Sequence, residues 1–367
     1  MKKPQRILLC AVLLAGCVPV DQSTTQLPKS VETAITLDDK KLAENYTQLS
    51  DKLWLAKAIK QETSIDLPVY TGEESDTTKI EQVYHRLRTW LGTQAREERV
   101  TEDKHEQRYL VKEATRYQFG HTKDGDYLDI TAEAARGIRS IFSNLVIDQQ
   151  QGKLQLTDFN ETLSFSREQA VQQVQQLLQT LDYNYTYDYD VAAVSKATLE
   201  KYQYYMLEHP DEYEIRDSIQ KAQLKDVYYI KAYAKIQDYP LIQQFLGGGS
   251  GQINWVHGMT NEYYVTSDGI VDGTLMGVVD VQPTGDTTIQ VDYGAAIKAI
   301  QSQYDELLLK QNVLIERLNV VYAPLPVADQ ESQYSRYVFK PLVEVKLTDE
   351  GALRTIYLDP TNWKEVK

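Results

Sequence analysis

The chain has 367 residues and carries 39 lysines and arginines against 53 aspartates and glutamates, a formal net charge of −14. A surface of that sign is repelled by phosphate backbones and anionic headgroups, which excludes nucleic-acid binding as a main function. The length is enough for two or three domains with cores of their own.

At the N-terminus Lys2, Lys3 and Arg6 precede an apolar run from Ile7 to Leu14, and Ala15-Gly16-Cys17 follows. A basic start, a short apolar core and small residues at a cut point make a secretory signal. A bilayer span needs roughly 20 apolar residues, more than this run supplies. Leu14-Ala15-Gly16-Cys17 resembles the lipobox of bacterial lipoproteins. The resemblance implies that residues 1–16 are a signal peptide cut before Cys17, whose thiol takes diacylglycerol. The mature chain is then held by membrane lipid on the extracytoplasmic face of the cell membrane. An ordinary cleaved signal with a chance cysteine is the other reading. Cys10 leaves with the signal, so no internal disulfide can form and the fold rests on core packing.

Residues 17–37, rich in Ser, Thr, Gln and Pro, read as a flexible tether. Residues 38–159 form a more helical and mixed N-terminal region. Its first helix is predicted over Asp38 to Gln61, with Leu42, Tyr46, Leu49, Leu53 and Ala56 on one face. Pro68 and Gly72 break the chain, and a second helix carries Ile80, Val83, Tyr84, Leu87 and Leu91. Residues 106–160 read as short strands and turns around a helix near 131–143.

From residue 160 a pattern recurs. Leu163-Ser164-Phe165 reads as a strand, Ser166 and Gln169 as a capping box, and Ala170, Val171, Val174, Leu177, Leu178 and Leu181 as a helical stripe. Ile289-Gln290-Val291, the cap Asp292 and the stripe Ala296, Ile297, Ile300, Tyr304, Leu307 repeat the order. Strands follow each helix: Tyr183–Asp190, Asp226–Ala234, Asn261–Thr266 and Gly273–Val281 after the first, Leu314–Tyr322, Arg336–Leu347 and Leu353–Leu358 after the second. Ser267-Asp268-Gly269 and Thr348-Asp349-Glu350-Gly351 suit tight hairpins. The expected class is α+β, with tandem units of one helix packed on an antiparallel sheet. The units are residues 160–285, with a helical insertion at 194–223, and 286–367.

This plan resembles the PepSY-like domains of Gram-positive cell-surface proteins and is similar to the YycH and YycI regulators. Those regulators use a membrane helix where this chain has a lipobox, and the insertion has no counterpart in the pattern. The resemblance implies a non-catalytic role, modulating a membrane-bound or extracellular partner.

Chemistry-bearing motifs are sparse. His85, His105, His121, His209 and His257 lack zinc-site spacing. His121 with Asp124 and Asp126 comes nearest to a metal loop but reads better as hairpin polarity. Gly247-Gly248-Gly249-Ser250-Gly251 lacks the lysine of a phosphate loop and reads as a surface loop. No metal and no cofactor is implied.

Tyrosine is the compositional feature, 26 against 6 phenylalanines. Tyr183, Tyr185, Tyr187 and Tyr189 alternate with polar residues and would line one face of a strand. With Trp255 and His257 they make a candidate recognition face; the row serves equally as half-exposed core under a helix. The favoured function is a non-enzymatic, lipid-anchored protein that binds or modulates another membrane or cell-surface protein. The alternatives are a substrate-binding lipoprotein of a transporter and a cell-wall enzyme.

Overall fold

The computed structural model describes residues 39–367 apart from 74, 103–104, 123–124, 243–259, 308, 310, 328–335, 350–351 and 367. Cys17, the tether, the glycine run, Trp255 and His257 lie outside the described residues.

The described chain opens with a short helix α1 (Asp39–Asn45), the hairpin β1 (Tyr46–Ser50) and β2 (Leu53–Ala56), and the longer strand β3 (Ser64–Glu73). Helix α2 (Thr77–Leu91) leads into β4 (Arg96–Glu102), β5 (His105–Lys112), β6 (Thr115–Thr122) and β7 (Gly125–Ala132), and then α3 (Arg136–Gln150). Helix α4 (Arg167–Leu181) precedes β8 (Thr186–Val194), and α5 (Lys196–Glu208) and α6 (Asp217–Gln220) form the insertion. Strands β9 (Val227–Ile236), β10 (Tyr239–Pro240), β11 (Thr260–Thr266), β12 (Gly269–Val278) and β13 (Asp280–Asp292) follow. Helix α7 (Tyr293–Asp305) and strands β14 (Val313–Pro326), β15 (Arg336–Asp349), β16 (Ala352–Asp359) and β17 (Lys364–Glu365) complete it. The result is α+β, with two large and mostly antiparallel sheets.

One expected helix is helical only at its start. Only Asp39–Asn45 of the 38–61 stretch is helical, and β1 and β2 take up the stretch that follows. Leu53, Trp54 and Leu55 are consecutive and all buried. A helix buried on one side cannot hide three neighbours in a row, whereas a strand covered on both faces does so. Leu53 and Leu55 face the α7 core while Trp54 packs with Leu42 and Leu314. The partner that makes this possible is β14, paired in parallel through Val313 to Ile315. The predicted strand at Leu163–Phe165 is also absent: Phe165 packs edge-on against Tyr228 at 5.0 Å instead, and Ser164 N–H donates to Asp226.

The capped helices form where the stripes predict, except that α7 ends at Asp305 and Leu307, placed in its stripe, lies beyond it and is exposed. Ser166 and Gln169 make both bonds of a capping box, and Asp292 accepts from the Ala295 N–H. Asp76 caps α2 through the Lys79 N–H. After α4 the chain runs β8–β9–β11–β12 as an antiparallel meander, and after α7 it runs β14–β15–β16. The same order stands a third time at α2, followed by the meander β4–β5–β6–β7.

The nine-stranded sheet joins two of these units last strand to last strand. Strand β7 pairs antiparallel with β12, from Asp272↔Thr131 to Met276↔Tyr127. Helices α2 and α4 then lie side by side on one face, over a core that includes Val83, Leu87, Leu128, Ile130, Val174, Leu177, Ile230 and Leu275. Arg86 of α2 ties them, donating to the carbonyls of Thr180 and Leu181 at 2.9 Å. The eight-stranded sheet packs α7 on one face, and its β1 to β3 come from the N-terminal region. Tyr70, Tyr322, Tyr337 and Phe339 of that sheet reach into the core of the other, so the two share apolar packing. Among the described residues no helix is long and apolar enough to cross a membrane.

Candidate functional site

Alternation decides which side chains of the nine-stranded sheet meet the helices and which do not. On the second face, α3, α5 and α6 cover one end of the strands around Val194, Val227 and Tyr264. Along the rest, polar and aromatic residues alternate with core ones and keep accessible surface: Tyr127 and Asp129 on β7, Lys231 and Tyr233 on β9, Glu262 on β11, Thr274 and Met276 on β12. Met276 stands out as a large apolar side chain 48% exposed. The Tyr127 ring lies over Gly120, where a Cβ would come within 3.0 Å of it, and its hydroxyl accepts from Gln118 at 3.1 Å. Cross-strand charge pairs lie on this face, Lys231–Glu262 at 3.4 Å, Lys235–Asp188 at 2.8 Å and Arg116–Glu98 at 3.5 Å. Such half-exposed pairs contribute little to stability, but they leave a broad surface of alternating sign.

Asp272 is the buried charge of this face, 2% exposed at the foot of α3. Arg139 of α3 donates to it at 3.1 Å. Burial pushes the Asp272 carboxyl up to about 6; Arg139 opposes that rise and the Asp129 charge adds to it. Asp129 itself accepts from Thr131 at 3.1 Å and from Thr274 at 3.5 Å. Asp272 can therefore change charge in mildly acidic medium beside Arg139. Sequence reasoning missed them; an aspartate inside the otherwise apolar run Ile270 to Val279 is the signal that could have found the first.

The tyrosine row is on the opposite, helix-covered side. Tyr183 is buried and donates to Asp126, and the Tyr185 hydroxyl donates to the Val279 carbonyl at 2.9 Å. Tyr187 and Tyr189, on β8, are half-buried against the α2–α4 core. All four rings therefore border one core. Asp126 also accepts from the Ser75 backbone at 3.2 Å and from its hydroxyl, so the carboxylate weighed for a metal loop pins the cap of α2 to the β6–β7 hairpin. Among the described residues no group of histidine, cysteine and carboxylate side chains could hold a metal ion. His85 is exposed on α2, and His209 Nδ1 lies 2.8 Å from the Tyr205 carbonyl at the end of α5.

Two further polar groups stand out on the helix-covered side. Asn261 and Tyr263 of β11 are buried, and neither the amide of the first nor the hydroxyl of the second has a hydrogen-bonding partner among the described residues. A buried polar group left so costs about 1–3 kcal/mol.

No family model matches this chain. No curated protein matches it either. Among solved structures it is similar to an uncharacterized protein from Eubacterium rectale, with 11% identity and a TM-score of 0.49, over 91% of this chain and 99% of that one.

Proposed function

We propose that this chain is a lipid-anchored extracytoplasmic protein that works without catalysis, holding another membrane or cell-surface protein against the open face of its nine-stranded sheet. The observation that carries the reading is that face itself. It combines the exposed Met276, the flat Tyr127 ring and a row of paired opposite charges on a rigid sheet. Aromatic and methionine side chains give contact area at low entropic cost, and alternating charges set orientation. The lipobox-like Leu14 to Cys17 supports the anchoring, and the recurring helix-plus-meander order supports the likeness to PepSY-like regulators.

The test is cross-linking on intact membranes of cells making this protein, followed by mass spectrometry of what is joined to it. Recovery of one membrane protein, lost in Met276→Asp and kept in His85→Ala on α2, is the expected result. Recovery of the same product from both variants would remove this face from the interface, and recovery of no protein would sink the docking role. Release of Cys17→Ser from the membrane fraction checks the anchor separately.

A further inference from the structure

We propose that Tyr187, Tyr189, Asn261 and Tyr263 form a binding site for a small uncharged ligand carrying a secondary amide, entered from the edge of the sheet at β8. This site lies on the helix-covered side and does not depend on the docking role of the opposite face.

The pairing register puts the four residues together. Tyr187 sits opposite Ala234 and Tyr189 opposite Ala232 on β9, and both alanines are buried. Each alanine carries a single side-chain carbon, so β9 places little bulk beside the two rings. On the far side of β9, Tyr263 pairs with Ile230 and Glu262 with Lys231, which brings Asn261 to the level of Ala232. The phenols of Tyr187 and Tyr189 are close enough to Tyr263 to oppose its ionisation electrostatically.

What converges there is polar, neutral and unspent. Tyr263 is fully buried and Asn261 is 3% exposed, and Asn261 Nδ2, Asn261 Oδ1 and Tyr263 Oη have no partner among the described residues. Tyr187 and Tyr189 retain accessible surface and belong to the edge strand, which makes them the members of the cluster nearest solvent. Burial pushes the pKa of all three phenols up, which keeps them protonated and the site uncharged. A charged ligand would lose its hydration there without a counter-charge, whereas a neutral one would not. A secondary amide points its C=O and its N–H in opposite directions, so it can accept from Asn261 Nδ2 at one end and donate to the Tyr263 hydroxyl at the other, both of which lack a partner among the described residues. The ring faces of Tyr187 and Tyr189 suit a flat or apolar body attached to it.

A peptide bond and an N-acetylated sugar both carry that amide. Calorimetric titration and saturation-transfer NMR of the full chain with N-acetylglucosamine, and separately with N-acetyl-alanyl-alanine amide, distinguish the two sources. The expected result is binding of at least one probe, weakened about tenfold or more by Asn261→Leu and by Tyr263→Phe, and unchanged by Tyr127→Phe on the opposite face. Tyr263→Phe removes only an unpaired hydroxyl, so it keeps or raises the melting temperature and carries the test should Asn261→Leu fail to fold. Binding of the sugar alone assigns the N-acetyl source, and binding of the peptide alone assigns a peptide segment. No binding of either probe at about 10 mM, or equal binding by Tyr263→Phe and the parent protein, overturns the proposal.

Discussion

Arg139 on α3 reaches down to Asp272 on β12 at 3.1 Å, so a helix and the sheet beneath it are joined through a carboxylate that is almost fully buried while the guanidinium stays half-exposed. The arginine is too hydrated to offset the burial of the aspartate, and the carboxyl ionises near 6 where 3.8 is ordinary.

That displacement has a sign. A carboxyl whose pKa is raised in the folded protein favours folding fully below 3.8, and this contribution is lost as pH rises through about 6. The loss is of order 3 kcal/mol. Asp272→Asn should therefore melt with a weaker dependence on pH between 4 and 7 than the parent. Parallel melting curves for the two proteins across that range would show that Asp272 does not titrate as described.

Asp148 of α3 behaves in the opposite way. Burial pushes its carboxyl up, but the hydroxyls of Tyr202 and Tyr213 and the Lys153 ammonium at 3.2 Å more than offset this and hold it below the ordinary value. Its contribution is present above 3.8 and fades as pH falls through the lower folded value. Asp148→Ala strands two buried hydroxyls and should cost about 3 kcal/mol in urea unfolding. A change below about 0.5 kcal/mol would mean that the insertion is held without this carboxylate.

Gly137 marks where the insertion docks on α3. A Cβ there would lie 2.3 Å from the Ser218 carbonyl oxygen and 2.4 Å from the Ala222 Cβ. Gly137→Ala should destabilise the protein by about 1–3 kcal/mol, because α6 must move to admit one methyl group. Limited proteolysis should then cut first between α5 and β9. Cleavage unchanged in rate and position would argue that the contact yields freely.

Three of the four side-chain helix caps among the described residues, all but Ser195 of α5, are comparable and testable together. Asp76→Ala, Ser166→Ala and Asp292→Ala each remove a side-chain acceptor from a backbone N–H in the first turn of α2, α4 and α7. Each should lower stability by about 1 kcal/mol, read from denaturant midpoints. Equal stability of Ser166→Ala and the parent would show that Gln169 alone holds the start of α4.

Local rules were enough for what local interactions govern. The stripes and caps of α4 and α7, the second helix with Val83, Tyr84, Leu87 and Leu91 buried, and the hairpin at Ser267 to Gly269 are legible because the atoms that stabilise them lie a few residues apart. The lipobox-like Leu14 to Cys17 is likewise visible as a short motif, and the expectation of membrane attachment rests on it alone. The run Leu53 to Leu55 misled because its strand exists only through pairing with Val313 to Ile315, a partner about 260 residues away. Tertiary structure alone decided that β7 meets β12, which sets α2 beside α4 and turns the tyrosine row inward while Tyr127 and Met276 face out. Alternation along a strand assigns residues to two faces, but which face is buried depends on where distant helices land.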